Sequence, residues 1–132
     1  MKKTQLFLIF IILSGCNSNE CGELYYDEEK KLTYLGEKLF DGKCTSYFLT
    51  GEIRSQEEYK FGKDHGNWVF YFRNGQIQTK GEFFNGKRIG KWEYYYNNNK
   101  LWKINYYDSN GRKIGKWSEF NEDGTINNVQ SH

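Results

Sequence analysis

From about residue 36 onward, aromatic and polar positions alternate in short runs punctuated by Gly and Asn, and the whole pattern recurs. Gly66-Asn67-Trp68-Val69-Phe70-Tyr71-Phe72-Arg73-Asn74-Gly75-Gln76-Ile77 is followed 24 residues on by Gly90-Lys91-Trp92-Glu93-Tyr94-Tyr95-Tyr96-Asn97-Asn98-Asn99-Lys100-Leu101. A further 25 residues lead to Gly115-Lys116-Trp117-Ser118-Glu119-Phe120-Asn121-Glu122-Asp123-Gly124-Thr125-Ile126. The units share Gly-x-Trp-x-x-(Tyr/Phe), a Gly or Asn four positions after that aromatic, and an aliphatic residue two positions later. Such a register, held three times, marks a repeat architecture. Gly42 to Ile53 is a degenerate earlier copy with Cys44 in the tryptophan slot, as a terminal repeat lacking one neighbour tends to be.

Within each unit, two segments rich in Tyr, Phe, Trp, Ile and Thr lack helical spacing and predict strands. Asn74-Gly75 predicts a two-residue type I′ hairpin turn, with Asn97-Asn98-Asn99 and Asp123-Gly124 in its place later. Longer links, Asn85 to Gly90 and Asp108 to Gly115, are expected between hairpins. The predicted fold is all-β: tandem hairpin repeats of about 24 residues forming one elongated, twisted antiparallel sheet over residues 36–128. Residues 16–35 are expected to be a tether with a partial repeat, and 129–132 a tail. Trp68, Trp92 and Trp117 should stack at equivalent positions about 9.6 Å apart, two strand spacings. A single-layer sheet would leave a second face where Tyr and Phe meet solvent or a partner. Edge strands near Leu32 and Ile126 would be open to pairing between chains.

Aromatic residues dominate the apolar content, with 4 Trp, 11 Tyr and 10 Phe, so this chain builds its core from rings rather than aliphatics. The net charge is +2, and loss of Lys2 and Lys3 with a leader would leave 17 basic against 17 acidic residues. That balance does not point to nucleic acid. No CxxC occurs and only His65 and His132 supply imidazoles, so neither metal nor cofactor is expected. Asp64-His65 has no nucleophile placed to use it, the glycines recur with hairpins rather than before a helix, and the chain reads as non-catalytic.

Met1-Lys2-Lys3-Thr4-Gln5 is basic, and Leu6 to Leu13 is an apolar run of eight residues. As a helix it would reach about 12 Å, far short of the roughly 30 Å bilayer core, so it reads as a secretory signal over residues 1–15. Leu13-Ser14-Gly15-Cys16 resembles the lipobox of bacterial lipoproteins, which implies lipidation of Cys16 and a lipid-anchored place in the cell envelope. In a Gram-negative host, Asn17 favours the outer membrane by the same resemblance. Beyond the reducing cytoplasm, Cys21 and Cys44 either pair, closing a loop whose constraint contributes about 3 kcal/mol, or remain separate thiols with Cys44 packing in place of tryptophan.

Gly66-x-Trp68-x-x-Tyr71-x-x-Asn74-Gly75-x-Ile77 and Gly81-Glu82-Phe83-x-Asn85-Gly86-Lys87-x-x-Gly90-x-Trp92 resemble the bacterial variant of the MORN repeat found in YwqK-like proteins. The resemblance implies a binding protein, in its specific form an antitoxin or immunity protein with a toxin as partner. It also brings in lipid binding, so a structural envelope protein holding lipid or glycan is the alternative. Lys87, Arg88 and Lys91, then Arg112, Lys113 and Lys116, fall at matching positions and are expected to form a basic edge, or else solvated loop charges.

Overall fold

The computed structural model describes residues 19–132, so the expected leader at 1–15 and Cys16 lie outside the described residues. Strand β1 (Asn19–Glu20) and a 3-10 turn (Cys21–Glu23) lead into β2 (Leu24–Asp27), β3 (Leu32–Leu35) and β4 (Lys38–Leu39). The repeats follow as β5 (Gly42–Tyr47), β6 (Ile53–Lys60), β7 (Lys63–Asp64), β8 (Gly66–Tyr71), β9 (Ile77–Phe84), β10 (Lys87–Tyr95), β11 (Leu101–Tyr107), β12 (Lys116–Phe120) and β13 (Ile126–Ser131). From β5 to β13 the strands form an antiparallel meander in chain order, with the short β7 set against β6. The tandem-hairpin sheet is therefore as expected.

Its first end is not. Residues 24–39 form a separate three-stranded sheet, β2-β3-β4, and β1 adds to β5 in parallel. The partial repeat expected within 16–35 is thus a small cap that runs past residue 36, and Leu32 is not an edge of the main sheet. The cap is tied down by backbone bonds from Thr33 N–H to Gly62 O, Gly62 N–H to Phe40 O and Phe40 N–H to Thr33 O, at 2.7, 2.8 and 2.9 Å. The Cys21–Cys44 disulfide fastens it further, with the two Cα atoms 5.1 Å apart. At the other end the expected tail is part of β13, because Val129 and Ser131 pair with Ser118 and Lys116.

Two kinds of turn join the strands: three-residue loops at the hairpin tips, and type I′ turns at two of the three links at the opposite end. At the hairpin tips the same backbone pair recurs: Phe72 N–H donates to Gln76 O and Gly75 N–H to Phe72 O, with equivalents at Phe48, Tyr96 and Asn121. This is a three-residue loop, a type I turn closed by one left-handed residue: Gly51, Gly75, Asn99 or Gly124, with φ of 98, 81, 65 and 87°. The expected type I′ turn at Asn74-Gly75 does not form. The Asn74 side chain instead accepts the Gln76 N–H at 3.1 Å, as Asn98 and Asp123 do for Lys100 and Thr125, and this local bond favours the longer loop at three of the four tips. Type I′ turns stand at the opposite end, at Phe61-Gly62 (φ 50 and 74°) and Asn85-Gly86 (φ 50 and 80°). The expected long link from 85 to 90 is therefore two residues followed directly by strand. The third link, Asp108–Arg112, is again a three-residue loop with Gly111 left-handed, and its extra residue accounts for the step of 25 instead of 24.

The signature follows from this geometry. Gly66, Gly90 and Gly115 all have φ near +60°, which bulges the strand and swings the residue two positions on to the inner face. Trp68, Trp92 and Trp117 are buried there, and each indole N–H donates to a carbonyl ten or eleven residues earlier, on Glu58, Glu82 and Tyr106, at 2.9, 3.2 and 3.1 Å. The buried donor of each unit is thus satisfied by the unit before it. The tryptophans do not stack on one another. Phe83 stands between Trp68 and Trp92, 4.9 Å from each, and Phe40 and Tyr59 extend the series edge-to-face. Room comes from Gly81, where a Cβ would lie 2.2 Å from the Trp92 ring. On β11 the same position is Asn105, 4% exposed with its Oδ1 unpaired, and the series of rings resumes only at Tyr107 and Trp117.

Candidate functional site

The outer face of the sheet is not the open aromatic surface expected of it. Lys80 and Lys91 flank Glu93 at 3.3 and 3.0 Å, and Lys43 lies 3.7 Å from Glu58. Burial works against the Glu93 carboxylate, yet hydrogen bonds from Lys91 and Lys80 hold it below its ordinary value. The signature aromatics Tyr71, Tyr95 and Phe120 are half-buried, with Tyr71 donating to Gln56 at 2.8 Å and Lys80 lying over the Tyr95 ring. Tyr47, Ile53, Tyr106, Ile126 and Val129 are the more open apolar side chains of this face, most of them toward its two ends.

Large apolar side chains are instead exposed where strands turn. At the rim of inter-hairpin turns, Phe61 is 66% and Phe84 55% exposed, with Leu39 and Ile114 also open and His65 against Phe84 at 5.4 Å. Phe61 is displayed because it takes the first, left-handed place of a type I′ turn, and Phe84 because it is the last strand residue before the next such turn.

The six expected basic residues all lie along this rim or just inside it, exposed, but they divide by partner. Arg88 lies 4.6 Å above Trp92 and Lys113 4.5 Å above Trp117, so each roofs the indole of its own repeat. Trp68 has no such roof because the matching position is Asp64. Lys91 is engaged by Glu93 on the outer face, which leaves Lys87, Arg112 and Lys116 without an ion pair among the described residues.

What the sequence did not disclose is a cleft of about 420 Å³ at this rim, between the cap and the Asn85-Gly86 turn. Lys63 and Lys87 line it from the repeats, Lys30 and Lys31 from the cap, with Tyr26 and Asp64 between. Lys30 and Lys31 also pair with Asp27 and Glu28 at 3.1 and 3.2 Å. Lys63 was recoverable as the repeat equivalent of Lys87. The lysines of the cap were not, since nothing local dictates that residues 24–39 fold back onto the repeats.

Beneath the cleft lies a small acidic interior. Burial raises the Asp64 carboxyl above its ordinary value, and the neighbouring Glu57 charge adds to that. Glu57 accepts hydrogen bonds from Ser55 and Tyr59 at 2.7 and 2.6 Å, while burial and that bond push the Tyr59 hydroxyl upward. Glu57 also approaches Cys21 and Cys44, but both sulfurs are committed to the disulfide, so this group does not offer a metal the two thiolates it would need.

Comparison with curated proteins finds no match to this chain. Among solved structures it is similar to a chain of the "Crystal structure of GtfA/B complex bound to UDP and GlcNAc", at 13% identity and a TM-score of 0.34, over 83% of this chain and 23% of that one. This chain spans under a quarter of that one, and a likeness at this level bears on neither fold nor function. The family model described as "MORN repeat variant" matches residues 40–61, 64–85 and 88–111. Those three stretches are consecutive hairpin-turn units of the sheet and make up more than half of the chain, which therefore belongs to the MORN repeat variant family.

Proposed function

We propose that this repeat protein is a non-catalytic binding protein, held at the cell envelope by a lipid on Cys16, whose inter-hairpin rim docks a protein partner with an acidic surface. The observation that carries the reading is the convergence of Phe61, Phe84 and Ile114 with Lys63, Lys87 and Arg88 along one rim. Exposed aromatic rings and arginine are enriched at protein interfaces, and the charge of the rim's lysines would steer an acidic partner. In its narrower form the partner is a toxin, and the protein is an antitoxin or immunity protein at the envelope.

The second reading, a structural envelope component, draws on the lysine-lined cleft, which would also accept acidic lipid head groups. Affinity capture from the native host after brief crosslinking separates the two. A stoichiometric protein lost on combined Phe61→Ser and Phe84→Ser substitution supports protein docking. Sedimentation with phosphatidylglycerol vesicles that depends on Lys63 and Lys87, with no protein captured, supports the structural reading. Metabolic labelling with a fatty acid, abolished by Cys16→Ser, tests the anchor.

A further inference from the structure

We propose that the opposite rim, built from the hairpin tips, is a binding site for an uncharged carbohydrate, a proposal independent of the protein-docking reading. Two adjoining cavities, of about 420 and 520 Å³, share Tyr96 and Asn97. The first is walled by Phe72, Tyr95, Tyr96 and Trp102, with Gln78 and Thr79 at its side. The second is carboxamide-rich, with Asn74, Asn97 and Asn98 beside Glu122.

Sugar rings present a face of C–H groups and a rim of hydroxyls that both donate and accept. An aromatic shelf suits the first, and carboxamides, which carry donor and acceptor on one planar group, suit the second. Ligand sites of about 300–1,000 Å³ with aromatic walls and a few placed polar groups are the usual size and make-up. Among the described residues neither cavity is lined by Lys or Arg, and Glu122 is the single charged group in either lining. A phosphate, sulfate or uronate would find no counter-charge here, whereas a neutral glycan needs none.

The site is also held in shape before any ligand arrives. Asn74 donates to the Asn97 carbonyl at 3.1 Å, Asn98 to Glu122 at 3.0 Å, and the Tyr96 hydroxyl to Phe120 O at 2.8 Å, so each turn is hydrogen-bonded to the next. Trp102 lies edge-on to Tyr94 at 6.2 Å and tilted against Tyr96 at 6.1 Å, yet it is 42% exposed. Groups fixed in this way lose little freedom on binding. None of this is legible from one repeat, because Asn74, Asn98 and Glu122 come from three successive turns.

The test is titration of the full-length protein with cellotetraose, chitotetraose and mannotetraose, read by tryptophan emission. Trp68, Trp92 and Trp117 are buried, so a ligand-induced blue shift reports Trp102. The expected result is a saturable shift with at least one of the three, at a Kd of about 1 mM or tighter. By calorimetry, Trp102→Ala should weaken that binding at least about tenfold and Asn97→Ala several-fold, with unchanged thermal melting, while Lys87→Glu leaves it intact. Absence of a saturable response to all three sugars, or binding that survives Trp102→Ala, overturns the proposal. So does a protein captured through Trp102 in a chain that responds to no sugar.

Discussion

The two rims of the sheet are made by the same strands and differ in almost everything they display. At the hairpin tips, three-residue loops stabilised by Asx side chains place amides and an aromatic shelf around cavities whose lining carries one charge, Glu122. At the inter-hairpin rim, the two tight type I′ turns leave phenylalanines in solvent, and the cap adds lysines from a different part of the chain. A repeat therefore specifies strands and turns alike, yet its two ends are free to carry unrelated chemistry. The tip rim depends only on neighbouring repeats, whereas the basic rim is complete only when the cap is docked.

The largest expected effect removes both rims at once. Trp92 is 1% exposed at the end of the unbroken ring series, and Trp92→Ala should cost about 3–5 kcal/mol, read as a collapse of the denaturation midpoint. Breaking the comparison at one rim only is the task of the disulfide. Cys44→Ser, or reduction, should cost about 3 kcal/mol, and it should weaken partner capture at the basic rim while leaving sugar binding at the tips unchanged. Equal loss at both rims on reduction would show that the cap supports the whole sheet. Gly81→Ala drives a methyl into the Trp92 ring and should cost about 1–3 kcal/mol by equilibrium unfolding, without altering either rim's chemistry.

The smallest effect belongs to Asp64. A carboxyl whose folded pKa is raised above its unfolded value binds more protons in the folded state. The folded protein therefore loses stability as pH rises from the ordinary carboxyl value of 3.8 through the raised one. Asp64→Asn should stabilise the protein slightly at neutral pH and flatten that part of the pH–stability profile. The backbone bond from Gly86 N–H to Asp64 O survives the change. A thermal melt at pH 7 and at pH 4 checks both the sign and the slope.

Strand order, the signature glycines and the buried tryptophans were legible because each is written three times in a constant register. The residues Gly66, Gly90 and Gly115 signal a left-handed backbone wherever they recur, and the tryptophans two positions on signal what that backbone turns inward. Turn type was not legible. Asn-Gly pairs occupy both ends of the sheet, and only the competing bond from Asn74 to Gln76 tells the tip at Gly75 from the link at Gly86. The interleaving of Phe83 was hidden because a strand spacing says where tryptophans recur and not what lies between them. The cleft was hidden because residues 24–39 carry no repeat, and their docking rests on long-range backbone bonds to Gly62 and on the disulfide.

The most direct test of the account is capture from the native host with a lysine-reactive crosslinker, followed by mapping of the linked lysines. The expected result is one stoichiometric protein joined through Lys63 and Lys87, with Lys100 at the hairpin tips unlinked, and loss of that protein on Phe61→Ser with Phe84→Ser. A partner joined chiefly through Lys100, or one whose capture ignores both phenylalanines, would contradict the assignment of protein docking to the inter-hairpin rim.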